Sequence, residues 1–187
     1  MMTSDQECWS RARDLLRALS VRRGDFLLRS GQRSDVYVDV KLTACKAEAM
    51  PLLGRLFLDK MRERGWRPAA VGGLTLGADP LVTAIARESL ESGQPIDCFL
   101  VRKEPKKHGT QKYLEGMEAT EGREVVIVDD VCTTGGSTIQ AIERSREAGL
   151  QVLGAICLVD REMGGREAIE QGLQCPFDRV FTLKDLE

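Results

Sequence analysis

Short aliphatic runs alternate along this chain with stretches whose apolar residues recur every three to four positions. The run Val125, Val126, Ile127, Val128 has no polar alternation, so it predicts a strand covered on both faces, as in a parallel sheet. The segments "PAAVGG" (68–73), "IDCFLVR" (96–102), "VLGAICLV" (152–159) and "RVFTL" (179–183) predict further strands. By contrast "DVYVDVKL" (35–42) alternates strictly, with Val36, Val38, Val40 and Leu42 on one face, and predicts a half-buried strand. Helical spacing runs from about Lys46 to Arg64 through Ala49, Leu53, Leu56, Phe57 and Met61, and Gly65 stops it. Pro51 fits there only near the start. A second helix is expected from an N-cap at Asp79, with Pro80 at its first position, to about Ser92. Others are expected over 137–148 and 165–172, and Leu15, Leu16 and Leu19 suggest an amphipathic N-terminal helix. Strands and helices therefore alternate, which predicts an α/β fold with a twisted parallel sheet between helices.

At 187 residues the chain suggests one domain with a full core. Its 42% hydrophobic and 30% charged residues argue against disorder. A net charge of −2 gives no sign of nucleic acid or an anionic membrane as partner, so any anion site must be local. No apolar run approaches a membrane span, and no secretion signal is evident. Six scattered cysteines with no CxxC pair and one histidine argue against zinc and for a reduced, cytoplasmic setting. Cys98 and Cys157 lie in strand-like runs and read as small core hydrophobes.

Candidate chemistry concentrates in "VVIVDDVCTTGGST" (125–138). Unpaired burial of Asp129 and Asp130 would be costly, so they are expected at the exposed carboxyl end of their strand. Gly135 and Gly136 leave room for a ligand against the backbone, and the next helix N-terminus offers an anion nest. Hydroxyls of Thr133, Thr134, Ser137 and Thr138 add donors suited to a phosphate monoester. There is no GK[ST], so this is not an ATP-type loop. The two acids could accept hydrogen bonds from a ribose diol beside that phosphate. The plain alternative is a βα turn with an N-capping hydroxyl and two solvated acids. Upstream, "RKEPKKHGTQKYLEG" (102–116) is basic and without periodicity, and a loop of that length is usually functional. Taken singly, its only histidine and its basic residues would read as solvated surface.

The 125–138 stretch resembles the phosphoribosyl pyrophosphate (PRPP) signature of type I phosphoribosyltransferases. "FLLRSGQRSDVYVDV" (26–40), "RKEPKKHG" (102–109), "LVDREMGG" and the terminal "TLKDL" resemble the orotate phosphoribosyltransferases in particular, from about Gly24 to Leu186. The resemblance implies a type I phosphoribosyltransferase-like sheet with a small N-terminal hood over about 1–40 and a PRPP-binding core over about 46–187. It implies that Asp129 and Asp130 hold the ribose hydroxyls, that Thr133, Thr134, Gly135, Gly136, Ser137 and Thr138 cradle the 5-phosphate, and that Val131 and Cys132 also belong to the PRPP-binding stretch. Arg102, Lys103, Lys106 and His108 would bind pyrophosphate. Lys103 would serve its own site, and the other three the neighbouring site of a homodimer. Orotate would meet Arg29, Tyr37, Val38, Thr133 and Arg161. Mg²⁺ would be held mainly by PRPP, with no dedicated protein ligands. Two positions depart from the family pattern: Arg29 replaces a lysine, and Leu76 stands where some members place a lysine against PRPP. That cation is then missing, or supplied by Lys41 or Lys112. The implied reaction is orotate with PRPP giving orotidine 5′-monophosphate and pyrophosphate in pyrimidine synthesis, by a stand-alone enzyme. A phosphoribosyltransferase for another base and a non-catalytic PRPP-binding regulator are the rival readings.

Overall fold

The computed structural model describes residues 4–27, 33–105 and 112–187. An antiparallel hairpin pairs β1 (Val21–Leu27) with β2 (Arg33–Val38). It stands apart from a sheet built of β3 (Ala70–Leu74), β4 (Asp97–Val101), β5 (Leu114–Glu115), β6 (Glu124–Cys132), β7 (Gln151–Asp160) and β8 (Phe177–Thr182). The spatial order is β5-β4-β3-β6-β7-β8, and every neighbouring pair is parallel except β4 with β5. Helices α1 (Ser4–Leu19), α2 (Lys41–Ala44), α3 (Met50–Glu63), α4 (Asp79–Glu91), α5 (Gly136–Glu147) and α6 (Gly165–Leu173) complete the fold, with a closing 3-10 turn over Leu183–Leu186.

Alternate residues of β6 serve opposite faces. Val126 and Val128 pack with Leu16 of α1, Leu53 and Phe57 of α3, and Leu81 and Ile85 of α4. Val125 and Ile127 pack with Ala141 and Ile142 of α5, Ile169 of α6, Phe99 and Phe177. Each face is dry, which is why the strand needs no polar alternation. The chain leaves β3 toward β4 on one side and returns through β6 on the other. The carboxyl ends of β3 and β6 therefore bound a switch-point crevice, where ligands bind in open α/β sheets.

Several expectations are corrected. β2 stops at Val38; Leu42 lies in α2 and is 38% exposed rather than on the buried face. β1 was not foreseen, because "RRGD" offers four exposed residues in a row. Asp79 is not an N-cap: Ala78 holds that position, no side chain caps it, and Asp79 Oδ1 is buried without a hydrogen-bond partner. β6 continues through both acids to Cys132. Leu16 is fully buried, whereas Leu19 is exposed. Cys157 is core as expected, and Cys98 is only partly buried.

Candidate active site

The carboxyl end of β6 carries the two acids, but not as two solvated groups. Asp129 is 4% exposed. Its Oδ2 accepts from the Thr138 hydroxyl at 2.6 Å, and its Oδ1 accepts from the Asp130 amide at 3.0 Å. Burial, and then the charge of Asp130, push the Asp129 carboxyl up to about 7. The next residue along faces the crevice. The Asp130 side chain keeps 19% of its surface, and its Oδ2 lies 3.8 Å from Lys41 Nζ. That ammonium is 2.8 Å from Asp39 Oδ1. Burial works against the charged Lys41, but the hydrogen bond to Asp39 and the charge of Asp130 outweigh it, so its pKa stands above the usual lysine value. A Cβ placed on Gly77, in the turn after β3, would sit 2.4 Å from Asp130 Oδ1. The two strand exits thus meet at Asp130.

Beyond Cys132 the turn to α5 is shaped by Gly135, which adopts φ 82 at the N-cap. A side chain there would be strained, and its Cβ would stand 3.0 Å from the Gly165 carbonyl. The first bond of the α5 ladder runs from the Ile139 amide to the Gly135 carbonyl at 2.8 Å. The amides of Gly136, Ser137 and Thr138 precede it and point out of the helix start, with the positive end of the dipole behind them. Thr134, Gly136 and Ser137 are exposed and Thr133 is partly so. Thr138 corrects the sequence reading: its hydroxyl is spent on Asp129, so only its amide remains for an anion. Val131 is partly buried and Cys132 buried, its sulfur under Gly165, so neither side chain lines the turn.

The hairpin closes the other side. Tyr37 is 41% exposed and stacks against Phe26 with ring centroids 5.4 Å apart. Val38 is buried in the core, so its side chain offers no contact surface, contrary to the expectation. Arg161, directly after β7, reaches β2: its Nη2 donates to the Ser34 hydroxyl at 2.7 Å and the Val36 carbonyl at 3.1 Å. Its Nε is buried with no hydrogen-bond partner, and burial lowers its pKa. Asp160 beside it is 1% exposed. It is neutralised by Arg179 at 3.0 Å, and its Oδ1 accepts from the Glu162 amide at 2.8 Å.

At the exit of β4, Arg102 donates to the Glu104 carbonyl at 3.3 Å and pairs with Glu115 at 3.4 Å. Lys103 is exposed at the same end of the sheet, two strands from Asp129 and hence about 10 Å across the sheet. Arg29, Lys106 and His108 lie outside the described residues. The structure therefore brings together Asp129, Asp130, the 133–138 turn, Tyr37 and Arg161. It places Lys41, one of the two lysines considered for the cation missing at Leu76, beside Asp130 and Asp39, and it adds the Asp160–Arg179 pair, which has no signal in the sequence.

The phosphoribosyl transferase domain family matches residues 47–176. The chain is 44% identical to the orotate phosphoribosyltransferase of Synechocystis sp. over 92% of its own length and 85% of that protein. It is 45% identical to that of Mycobacterium avium, over 92% and 93% respectively. The chain belongs to the orotate phosphoribosyltransferases. A crystal structure of the family member from Mycobacterium tuberculosis H37Rv in complex with 5-phospho-α-D-ribosyl 1-diphosphate is 36% identical. It superposes with a TM-score of 0.79 over 96% of this chain and 98% of that one. Within that family frame, the switch-point crevice of this chain is the place where its acids, helix N-terminus and hairpin converge.

Proposed function

We propose that this chain transfers the 5-phosphoribosyl group of PRPP to orotate, giving orotidine 5′-monophosphate and pyrophosphate in pyrimidine synthesis. The observation that carries the reading is the convergence of three elements at the carboxyl end of the sheet. The free amides of Gly136, Ser137 and Thr138 suit a phosphate, Asp130 suits a ribose diol, and Arg161 reaches toward the aromatic hairpin. An anionic base such as orotate gives Arg161 a use that a neutral purine lacks. The buried, unpartnered Arg161 Nε is a donor available to such a ligand.

In this reading the 5-phosphate sits on the 133–138 turn, with Thr133, Thr134 and Ser137 adding hydroxyls. Asp130 accepts from the ribose hydroxyls and lies near the sugar carbon as positive charge develops there. Asp129 holds the turn through Thr138 and shares the anionic load with Asp130. Lys103, with Arg102, Lys106 and His108, meets the pyrophosphate as its charge grows, which lowers the transition state more than the ground state. Orotate lies on Tyr37, with Arg29 and Arg161 supplying charge and Thr133 at its edge. The main chain of Val38 flanks it.

Among the described residues, no group of three or more histidine, cysteine or carboxylate side chains is arranged to hold a metal ion. Both Asp129 oxygens already accept hydrogen bonds, so the donors here suit a Mg²⁺ ion that arrives on substrate oxygens. Bound that way, Mg²⁺ would neutralise pyrophosphate charge. The same reading includes a homodimer in which Arg102, Lys106 and His108 complete the neighbouring site, and a hood over about 1–40 on a core over about 46–187. A cytoplasmic location fits this chemistry, and among the described residues no helix is long and apolar enough to cross a membrane.

The test follows orotate's ultraviolet absorbance with PRPP, Mg²⁺ and pure protein. Loss that needs both additions supports the reading. No loss, with PRPP still bound by calorimetry, would transfer support to another base or to a non-catalytic PRPP binder.

A further inference from the structure

The strand exit that carries Lys103 is held by a residue from a different layer. Arg144 lies in the last turn of α5, the helix whose first turn forms the anion cup. Its Nη1 donates to the Arg102 carbonyl and its Nη2 to the Lys103 carbonyl at 2.7 Å. Its guanidinium also lies 4.0 Å from the ring centroid of Tyr113. Tyr113 is itself the backbone partner of this exit, since its carbonyl accepts from the Arg102 amide at 2.8 Å. One side chain therefore grips both chain segments where the basic stretch leaves and rejoins the sheet.

A solvated arginine at a helix C-terminus would be expected to turn toward the nearby carboxylates or the helix's own last carbonyls. Arg144 instead spends its planar fork on two consecutive carbonyls more than 40 positions away, a fit that lysine's point charge cannot reproduce. Charge-assisted bonds of this kind are shorter and stronger than neutral ones, and the aromatic face adds to them.

We propose that Arg144 is a positioning residue for the reaction: by fixing the backbone of Arg102 and Lys103 it sets where the Lys103 ammonium stands over the leaving pyrophosphate. The inference rests on the role given to Lys103 above. Electrostatic stabilisation depends on donors being in place before charge develops, and a displacement of about 1 Å can cost about a hundredfold in rate. Arg144 touches no reacting atom in this arrangement; it acts through Lys103, because the Arg102 side chain is held separately by Glu115 and the Glu104 carbonyl.

Five proteins test this: wild type, R144M, K103A, the double variant, and R144K as the conservative control. Each is measured for kcat, for KM of orotate and PRPP, and for melting temperature. R144M should lower kcat by about 10- to 100-fold with the orotate KM within about twofold, and R144K should recover part of the loss. In the K103A background, R144M should change kcat by less than about twofold, because the group it positions is gone. K103A low but R144M at wild-type kcat would overturn the proposal and leave the Lys103 role standing. So would losses that multiply in the double variant. K103A at wild-type turnover would overturn both. Should R144M fail to fold, R144K decides: it should lose about threefold or more in kcat, and full activity would overturn the proposal.

Discussion

Asp129 keeps a carboxyl at 4% exposure, between the Thr138 hydroxyl, the Asp130 amide and a second acid. The two hydrogen bonds favour the ionised form, but burial and the neighbouring charge outweigh them and lift the pKa to about 7. The sign of the linkage follows. Between the unfolded value near 4 and about 7 the native protein holds more protons than the unfolded chain, so stability falls as pH rises through that window. The slope attributable to this group is at most about 1.4 kcal/mol per pH unit. Asp129→Asn should remove it, since the amide cannot ionise and Thr138 can accept from it instead. Melting curves from pH 4 to pH 8 should show the variant gaining on wild type steadily as pH rises. Parallel curves would mean that Asp129 is ionised throughout and that the site tolerates two full negative charges.

The two turns at the switch point do different jobs. The β6–α5 turn presents amides, and the β3–α4 turn presents an absence: Gly77 leaves space that Asp130 fills. An added Cβ would collide with the mobile end of a part-exposed side chain, not with backbone, so stability should hardly respond. The carboxylate, however, must move. Gly77→Ala should keep the melting temperature within about 2 °C, as for a change below about 1 kcal/mol. It should raise the KM for PRPP by about tenfold, the cost of one displaced charged acceptor. An unchanged KM would remove Asp130 from ribose binding. These turns also mark where the sequence was informative. Aliphatic runs such as 125–128 and 152–159 announce themselves because burial on both faces forbids polar residues. The doubled acid and doubled glycine at 129–136 stand out because few structures need both. What the sequence hid depends on tertiary contact. Asp129 is buried only because α5 returns Thr138 to it, and Asp79 starts α4 without capping it because Ala78 already holds that position. β1 was missed because four consecutive residues, Arg22 to Asp25, face solvent on a ribbon with only one paired neighbour. Lys41 and Arg144 look like any surface cation until their partners from other elements are in place.

At the scale of the whole molecule, the site draws on two layers. The acids and the anion cup belong to the six-stranded sheet, whereas Tyr37 belongs to the hairpin, and Arg161 joins the two through Ser34 and Val36. A ligand confined to the sheet should therefore bind independently of that link, and a ligand lying between the layers should not. At about 100 times its Kd, PRPP should stabilise the wild type by about 2.7 kcal/mol. For a chain of this size that corresponds to a rise in melting temperature of about 5–10 °C. Arg161→Met should keep most of that rise, because the phosphate and ribose contacts are untouched. The same variant should raise the KM for orotate by about 10- to 100-fold, the range expected when one or two bonds to a charged ligand are lost. Asp160 and Arg179 remain paired in it, so the β7 exit is not left with an unneutralised buried acid. Equal losses for PRPP and orotate would show that the hairpin and sheet act as one rigid unit, and that Arg161 holds the crevice open rather than reading the base.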